Sequence, residues 1–399
     1  MDLKLFPGKL TGSVSVIPSK SQAHRLLICA AFADGPTTLV CPDTNRDIEA
    51  TATCLRALGA EITRTREGYA VKPVETFPDT AVLPCRDSGT TLRFLLPVVG
   101  ALGVDTVFQL EGRLSKRPLS PLWEEMERMG CKLSWLEPDR LHCTGKLNPG
   151  DYRIRGDVSS QFISGLLFAG ALIPGQTKIT VIGTLESRPY VDMTSQALET
   201  FGCRVVDLAV NGGTVLVSPG EVTVEGDWSN GAFFLGANSL GSEIEVQNLL
   251  DSSLQGDRAA AALLPRLKEG HCTISATDIP DLVPVLSVAA ACCHGAVFTD
   301  IRRLRMKESD RVATITNMIN ALGGRAEANE AALTIYGTGL KGGTVDCRND
   351  HRIAMSAAIA ATVCREPVIL LGTECVEKSY PKFFEIYHRL GGNYEQYLR

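Results

Sequence analysis

A large set of cationic side chains marks where this 399-residue chain could do chemistry. Seven of the ten residues Arg302–Arg311 are charged, and Glu308 among those bases would be a charge-stabilised carboxylate. The cations come in short clusters. Pro18-Ser19-Lys20-Ser21-Gln22-Ala23-His24-Arg25 opens one apolar helix, with Ser21 and Arg25 four residues apart on one face. Arg117 closes the basic loop Gly112–Pro118, Arg311 ends the charged run, Arg352 follows Asn349-Asp350-His351, and Lys378 precedes Ser379-Tyr380-Pro381. Guanidinium groups match carboxylates and phosphates in a bidentate fork, and helix starts already favour anions. Read singly, these clusters fit equally a capped helix start, a solvated loop or a surface charge run.

The elements that must position them recur along the chain. Polar clusters followed by small-residue apolar helices begin near residues 18, 87, 157, 227, 280 and 349, about 70 residues apart except for the step from 227 to 280. Ser, Asp and Asn at these starts are N-cap residues, whose oxygens satisfy first-turn amides. A second amphipathic helix follows each, ending at Leu58-Gly59, Met129-Gly130, Phe201-Gly202, Leu322-Gly323 and Leu390-Gly391, with Glu269-Gly270 a weaker match. Short β-branched alternating runs come next. The pattern predicts six αβ units, with a β-hairpin abbreviated in the fourth.

Six units exceed one core, so three plus three is expected: an α/β (α+β) protein of two similar lobes. Residues 19–225 form the predicted N-terminal lobe. Residues 1–18 and 226–399 form the other, with crossings near 18 and 226, and the first strand, Leu3–Val16, joins the C-terminal lobe. A ligand site is expected in the cleft between lobes.

Composition narrows the function. Net charge is −5, from 40 basic and 45 acidic residues, which argues against nucleic-acid binding but not against a local basic site. Thirteen cysteines without a C-x-x-C pair read as reduced core thiols and not as metal ligands. No signal-like or membrane-spanning run is visible, so a cytoplasmic location is expected. Phosphate-loop, dinucleotide and serine-hydrolase motifs are missing, and Gly337–Gly343 reads as a hairpin turn.

Taken in order, P-S-K-S-Q-A-H-R, D-S-G-T-T-L-R-F, K-R-P, V-S-S-Q-F, S-R-P-Y-V-D, I-P-D, R-x-K-E-S-D-R, N-D-H-R-x-A-M and E-x-V-x-K-S-Y-P resemble the 5-enolpyruvylshikimate-3-phosphate synthase family from about residue 5 to 385. The resemblance implies two lobes of three βαβαββ units each. It implies transfer of the enolpyruvyl group of phosphoenolpyruvate to the 5-hydroxyl of shikimate 3-phosphate, as a monomer with no cofactor, metal, membrane or nucleic-acid partner. Carried over by motif, Lys20, Ser21, Arg25, Ser159, Ser160, Gln161, Ser187, Tyr190, Asp281 and Lys307 would meet shikimate 3-phosphate. Lys20, Gly89, Arg117, Gln161, Arg311, Arg352 and Lys378 would meet phosphoenolpyruvate. Asp281 would take the hydroxyl proton, and Glu308 would move the proton at the methylene carbon, with Lys20 beside both substrates. Ser19 and His24 are left as cap and packing. The retained Gly89 implies inhibition by glyphosate. The UDP-N-acetylglucosamine enolpyruvyl transferases, which share fold and donor, carry a Cys in the loop matching Gly112–Pro118 and a different start motif. A non-catalytic anion-binding protein would have no need of both Asp281 and Glu308, and RNA 3′-phosphate cyclases would need a nucleotide-accepting His and a more basic surface.

Overall fold

A computed structural model describes residues 1–398. It divides into two compact units, one made of Pro18–Glu225 and the other of Met1–Ile17 with Gly226 onward to the C-terminus. Each unit has its own hydrophobic core.

The Pro18–Glu225 unit holds three four-stranded sheets built on one plan. In its second repeat, strand Thr80–Arg86 leads through helix Gly89–Leu102 to the parallel strand Asp105–Leu110. A second helix, Leu122–Arg128, then leads to the antiparallel pair Cys131–Glu137 and Arg140–Gly145. The third repeat uses Gly150–Arg155, Gly175–Ile182, Val205–Val206 and Ala209–Gly212 in the same order. The first repeat takes its leading strand from the far end of the unit: Glu221–Thr223 pairs in parallel with Thr37–Val40. The βαβαββ plan is therefore present, with one strand supplied from a distant part of the chain.

The other unit repeats this device. Thr11–Ser15 pairs in parallel with Glu243–Gln247 around helix Trp228–Ser239, and that sheet stops at two strands. The expected abbreviation of the fourth repeat is a complete loss of its hairpin: helix Ala260–Glu269 runs directly into strand Cys272–Ser275 of the next sheet. Its closing Gly270 has φ 173°, an extended conformation, whereas the closing glycines 59, 130, 202, 323 and 391 all have positive φ between 77° and 118°. The last repeat has the strand order Gly343–Asp346, Val368–Leu371, Leu3–Phe6, Asn393–Gln396, so the N-terminus fills the third place.

Two expectations need correction. Leu3–Val16 is not one strand but two, Leu3–Phe6 and Thr11–Ser15, in different sheets. Pro7 ends the first because it brings no amide hydrogen to the ladder. The glycine-rich run Gly337–Gly343 is not a hairpin turn. It joins strand Ala332–Tyr336 of one sheet to the leading strand of the next, so its glycines shape a crossing between repeats.

The first helix of each repeat is the buried one. In Gly89–Leu102 all residues but Thr90 and Leu102 are buried, and Ser160–Leu172 and His351–Ala361 are similarly enclosed. Such helices need small residues where backbones approach. At Gly165 an added Cβ would lie 2.3 Å from the Arg93 carbonyl oxygen of the neighbouring helix, so only glycine fits. Their starts are held as expected. Ser19, Ser88, Ser159, Asp227 and Asp350 accept from amides of the following first turn. The fifth start has no side-chain cap; Pro284 sits in its first turn, where a missing N–H costs nothing.

Candidate active site

In the unit containing the C-terminus, the helix starts gather one dense ionic cluster. Arg311, only 1% exposed, begins helix Arg311–Ala321 behind the Asp310 cap. Its Nη1 donates to Asp281 Oδ1, its Nη2 to Glu308 Oε2 at 2.8 Å, and its Nε to Asp350 Oδ2 at 2.9 Å. Lys307 Nζ lies 3.6 Å from Asp281 Oδ1, and Arg352 Nη2 lies 3.6 Å from Asp281 Oδ2. The expected carboxylates, Asp281 and Glu308, thus meet on one guanidinium, flanked by two of the expected cations. Burial by itself would raise the Asp281 carboxyl, but Lys307, Arg352 and Arg311 outweigh it and hold the group well below the usual carboxylate range. Burial pulls the Lys307 ammonium down to about 8, with Asp281 opposing and Arg311 and Arg303 adding to the fall.

Arg352 Nη1 donates to the Ser229 carbonyl at 3.3 Å, while its Nε is buried without a hydrogen-bond partner. Lys378 is buried at the end of the short turn Thr373–Lys378; the next residue, Ser379, accepts from Asn230 Nδ2 at 3.4 Å. Both Arg352 and the Lys378 segment therefore meet the start of helix Trp228–Ser239. Asp257 is fully buried, accepts from the Ser229 hydroxyl, and is raised to about 6 by desolvation, with Asp281 adding.

The Pro18–Glu225 unit brings together a second set. Lys20 Nζ pairs with Asp47 at 2.9 Å. Arg25, 2% exposed, donates from Nε to Thr194 Oγ1 at 2.8 Å, from Nη2 to the Tyr190 carbonyl at 2.6 Å and from Nη1 to the Ser21 carbonyl. All three acceptors are neutral, and burial brings this guanidinium down to about 9. An anion near Arg25 would offset that desolvation cost. Gly89 opens its helix directly against cations: a Cβ there would lie 2.7 Å from Arg117 Nη1 and 2.8 Å from Arg93 Nη1. Arg93 Nη1 also donates to Gln161 Oε1 at 3.0 Å, and Gln161 Nε2 donates to Thr90 Oγ1 at 2.8 Å. Arg117 Nε is buried without a partner.

Ser159 and Ser160 stand at the start of helix Ser160–Leu172, both buried, and Ser159 Oγ is its cap. Ser187 precedes helix Arg188–Thr200 with φ 55°, in the left-handed region, and makes no side-chain cap bond. Sequence reasoning did not assign Asp47, Arg93, Asp257 or Asp350 a part in the site. Arg93 carried a signal as the arginine of D-S-G-T-T-L-R-F, and Asp350 by its place beside Arg352, which reads equally as a cap.

Among the described residues, no group of three or more His, Cys, Asp or Glu side chains is arranged to hold a metal, and no helix is long and apolar enough to cross a membrane.

The repeats and the cation-lined helix starts define an α/β protein of the enolpyruvyl-transferase kind. The solved enolpyruvyl transferase NikO from Streptomyces tendae superposes with TM-score 0.77 at 19% identity, covering 99% of this chain and 98% of that one. EPSP synthase from Acinetobacter baumannii superposes with TM-score 0.79 at 23% identity over 99% of this chain and 100% of its own. The 3-phosphoshikimate 1-carboxyvinyltransferase of Clostridium botulinum (strain Alaska E43) is 38% identical over 99% of this chain and 98% of its own length, and that of Clostridioides difficile (strain 630) is 36% identical over 99% and 98%. The model of the EPSP synthase (3-phosphoshikimate 1-carboxyvinyltransferase) family matches residues 6–387, and the chain belongs to that family.

Proposed function

We propose that the two ionic sets act together on phosphoenolpyruvate and shikimate 3-phosphate. The protein is a transferase that moves the enolpyruvyl group of phosphoenolpyruvate to the 5-hydroxyl of shikimate 3-phosphate and releases phosphate. The observation that carries the assignment of residues is the meeting of Asp281 and Glu308 on Arg311 beside Lys307 and Arg352.

In the addition step, Glu308 gives a proton to the methylene carbon of the donor while Asp281 takes the proton of the 5-hydroxyl, whose oxygen bonds to the neighbouring carbon. The product is a tetrahedral ketal. In the elimination step Glu308 takes a proton back from the new methyl group, the carbon–oxygen bond to phosphate breaks, and phosphate leaves. The cations keep Asp281 ionised and so able to accept a proton, and anionic substrates bound to Lys307, Arg352 and Arg311 would offset their charge and make it a stronger base.

Arg311, Arg352 and Lys378 hold phosphoenolpyruvate together with Lys20, Arg117, Gln161 and the Gly89 helix start. Dense cationic cover stabilises the anionic donor and the departing phosphate. Lys20, Ser21, Arg25, Ser159, Ser160, Gln161, Ser187, Tyr190, Asp281 and Lys307 hold shikimate 3-phosphate, with Arg25 positioned by Tyr190 and Thr194. We place the protein in the cytoplasm as a monomer; thirteen free thiols suit a reducing compartment.

Phosphorus NMR of the protein mixed with both substrates tests the reading. The expected outcome is conversion of two phosphate esters into one ester and inorganic phosphate, lost in Glu308→Gln. Both ester signals persisting with the unaltered protein would contradict it.

A further inference from the structure

One buried chain of side chains lies outside the residues assigned above. His24 Nδ1 is 2.7 Å from Thr51 Oγ1, Thr51 Oγ1 is 2.7 Å from Thr91 Oγ1, and Thr91 Oγ1 donates to Ser88 Oγ at 2.8 Å. All four residues are fully buried. They join three helices: Lys20–Ala31, Arg46–Ala57, and Gly89–Leu102, whose cap is Ser88.

The direction of the chain follows from counting protons. Each hydroxyl has one hydrogen to donate. Thr91 gives its own to Ser88, so Thr51 donates to Thr91, and the Thr51 oxygen accepts from His24. His24 therefore carries its proton on Nδ1. Its Nε2 is then a bare acceptor, and that atom is buried without a hydrogen-bond partner. The other tautomer would bury an unpaired N–H, which proteins tolerate less readily than an unpaired acceptor. Burial first, then the neighbouring Lys20 and Arg25 charges, hold the imidazole well below its usual range, so the ring is neutral.

We propose that His24, Thr51, Thr91 and Ser88 form a positioning relay that fixes the Gly89 helix start in register with the helix start bearing Lys20 and Arg25. This rests on the reading that those two starts hold the phosphoenolpyruvate phosphate and shikimate 3-phosphate. Arg117 and Arg93 stand so near Gly89 that there is no room for even a Cβ between them, so a shift of its turn would change the space both guanidinium groups face. Because Ser88 immediately precedes Gly89, a loosened relay acts first on phosphoenolpyruvate.

Two measurements test the relay. Nitrogen-15 NMR of the unaltered protein at pH 7 is expected to show a neutral His24 ring with the proton on Nδ1; a proton on Nε2, or a charged ring, would overturn the relay without bearing on the reaction. In kinetics, Thr51→Val is expected to raise the KM for phosphoenolpyruvate about fivefold, with kcat and the KM for shikimate 3-phosphate changing much less, while Thr51→Ser restores wild-type behaviour. Combining Thr51→Val with Thr91→Val is expected to add little beyond either alone, because both break one chain and leave the Ser88 cap in place. A folded Thr51→Val protein with unchanged KM, or fully additive effects, would show the chain to be packing only and overturn the proposal. An unaltered protein without any enolpyruvyl transfer would contradict the functional reading, and the inference would fall with it.

Discussion

Arg311 touches Asp281, Glu308 and Asp350 at once, and the proposed chemistry turns on it. Glu308→Gln keeps the shape and removes the proton carrier; kcat is expected to fall at least about 100-fold, with KM values changed little. Steady-state kinetics of the variant checks this, and an unchanged kcat would remove Glu308 from the mechanism. Lys307 gives a pH signature. Burial brings its ammonium down to about 8, below the ordinary 10.5, so it is charged below that pH and neutral above. Affinity for an anionic substrate is therefore expected to decline as pH rises through about 8, visible as an alkaline limb in kcat/KM for shikimate 3-phosphate. Lys307→Arg, which stays charged, is expected to lose that limb. The stability effect has the opposite sign. With the folded pKa below the unfolded one, burying this charge costs stability below about 8, and the cost is relieved as pH rises from there toward 10.5. The proposed substrate-binding cations were readable because Lys and Arg cluster beside helix starts, where Ser, Asp and Asn are the usual caps, and the two carboxylates because they lie in motifs that resemble the family's. Their partners were not: Asp47 lies 27 positions from Lys20 and Asp350 lies 39 from Arg311, and nothing local in a sequence links such pairs.

Helix starts do most of the positioning, and their caps were the most legible feature of the chain. Ser19, Ser88, Ser159, Asp227 and Asp350 cap through their own side chains because short oxygen-bearing residues can reach the orphan amides. Asp350 does more than cap, since it is fully buried and accepts from Arg311 Nε and Ser309 Oγ. Asp350→Asn retains a cap oxygen but removes the charge, so a loss of about 2–3 kcal/mol is expected in denaturant unfolding. Gly89 is the complementary case. The Cβ of Gly89→Ala would meet the Arg117 and Arg93 guanidinium ends, which can move, so the protein is expected to fold normally. The KM for phosphoenolpyruvate is expected to rise roughly tenfold, equivalent to about 1.4 kcal/mol. An unchanged KM would place the donor elsewhere. Strand boundaries were less legible than caps. Leu3–Val16 alternates well enough to read as one strand, and only tertiary pairing reveals that its halves belong to different sheets.

At the scale of the molecule, the repeat lengths revealed six units, but not how the strands are exchanged among them. The leading strands Thr11–Ser15 and Glu221–Thr223 each pair with a strand far along the chain, and Leu3–Phe6 completes the last sheet. Such pairings are set by burial and by register across the sheet, not by local pattern. The missing hairpin of the fourth repeat was visible as a short interval, because a deletion changes spacing directly. The repeats set carboxylates and cations at or beside helix starts within each unit, and the proposed role of those groups is one reaction. The most direct measurement is phosphate release from phosphoenolpyruvate, with shikimate 3-phosphate and separately with UDP-N-acetylglucosamine as acceptor. Release that depends on shikimate 3-phosphate, ignores the nucleotide sugar and is blocked by glyphosate is the predicted result. Release with the nucleotide sugar alone, or with neither acceptor, would contradict the account.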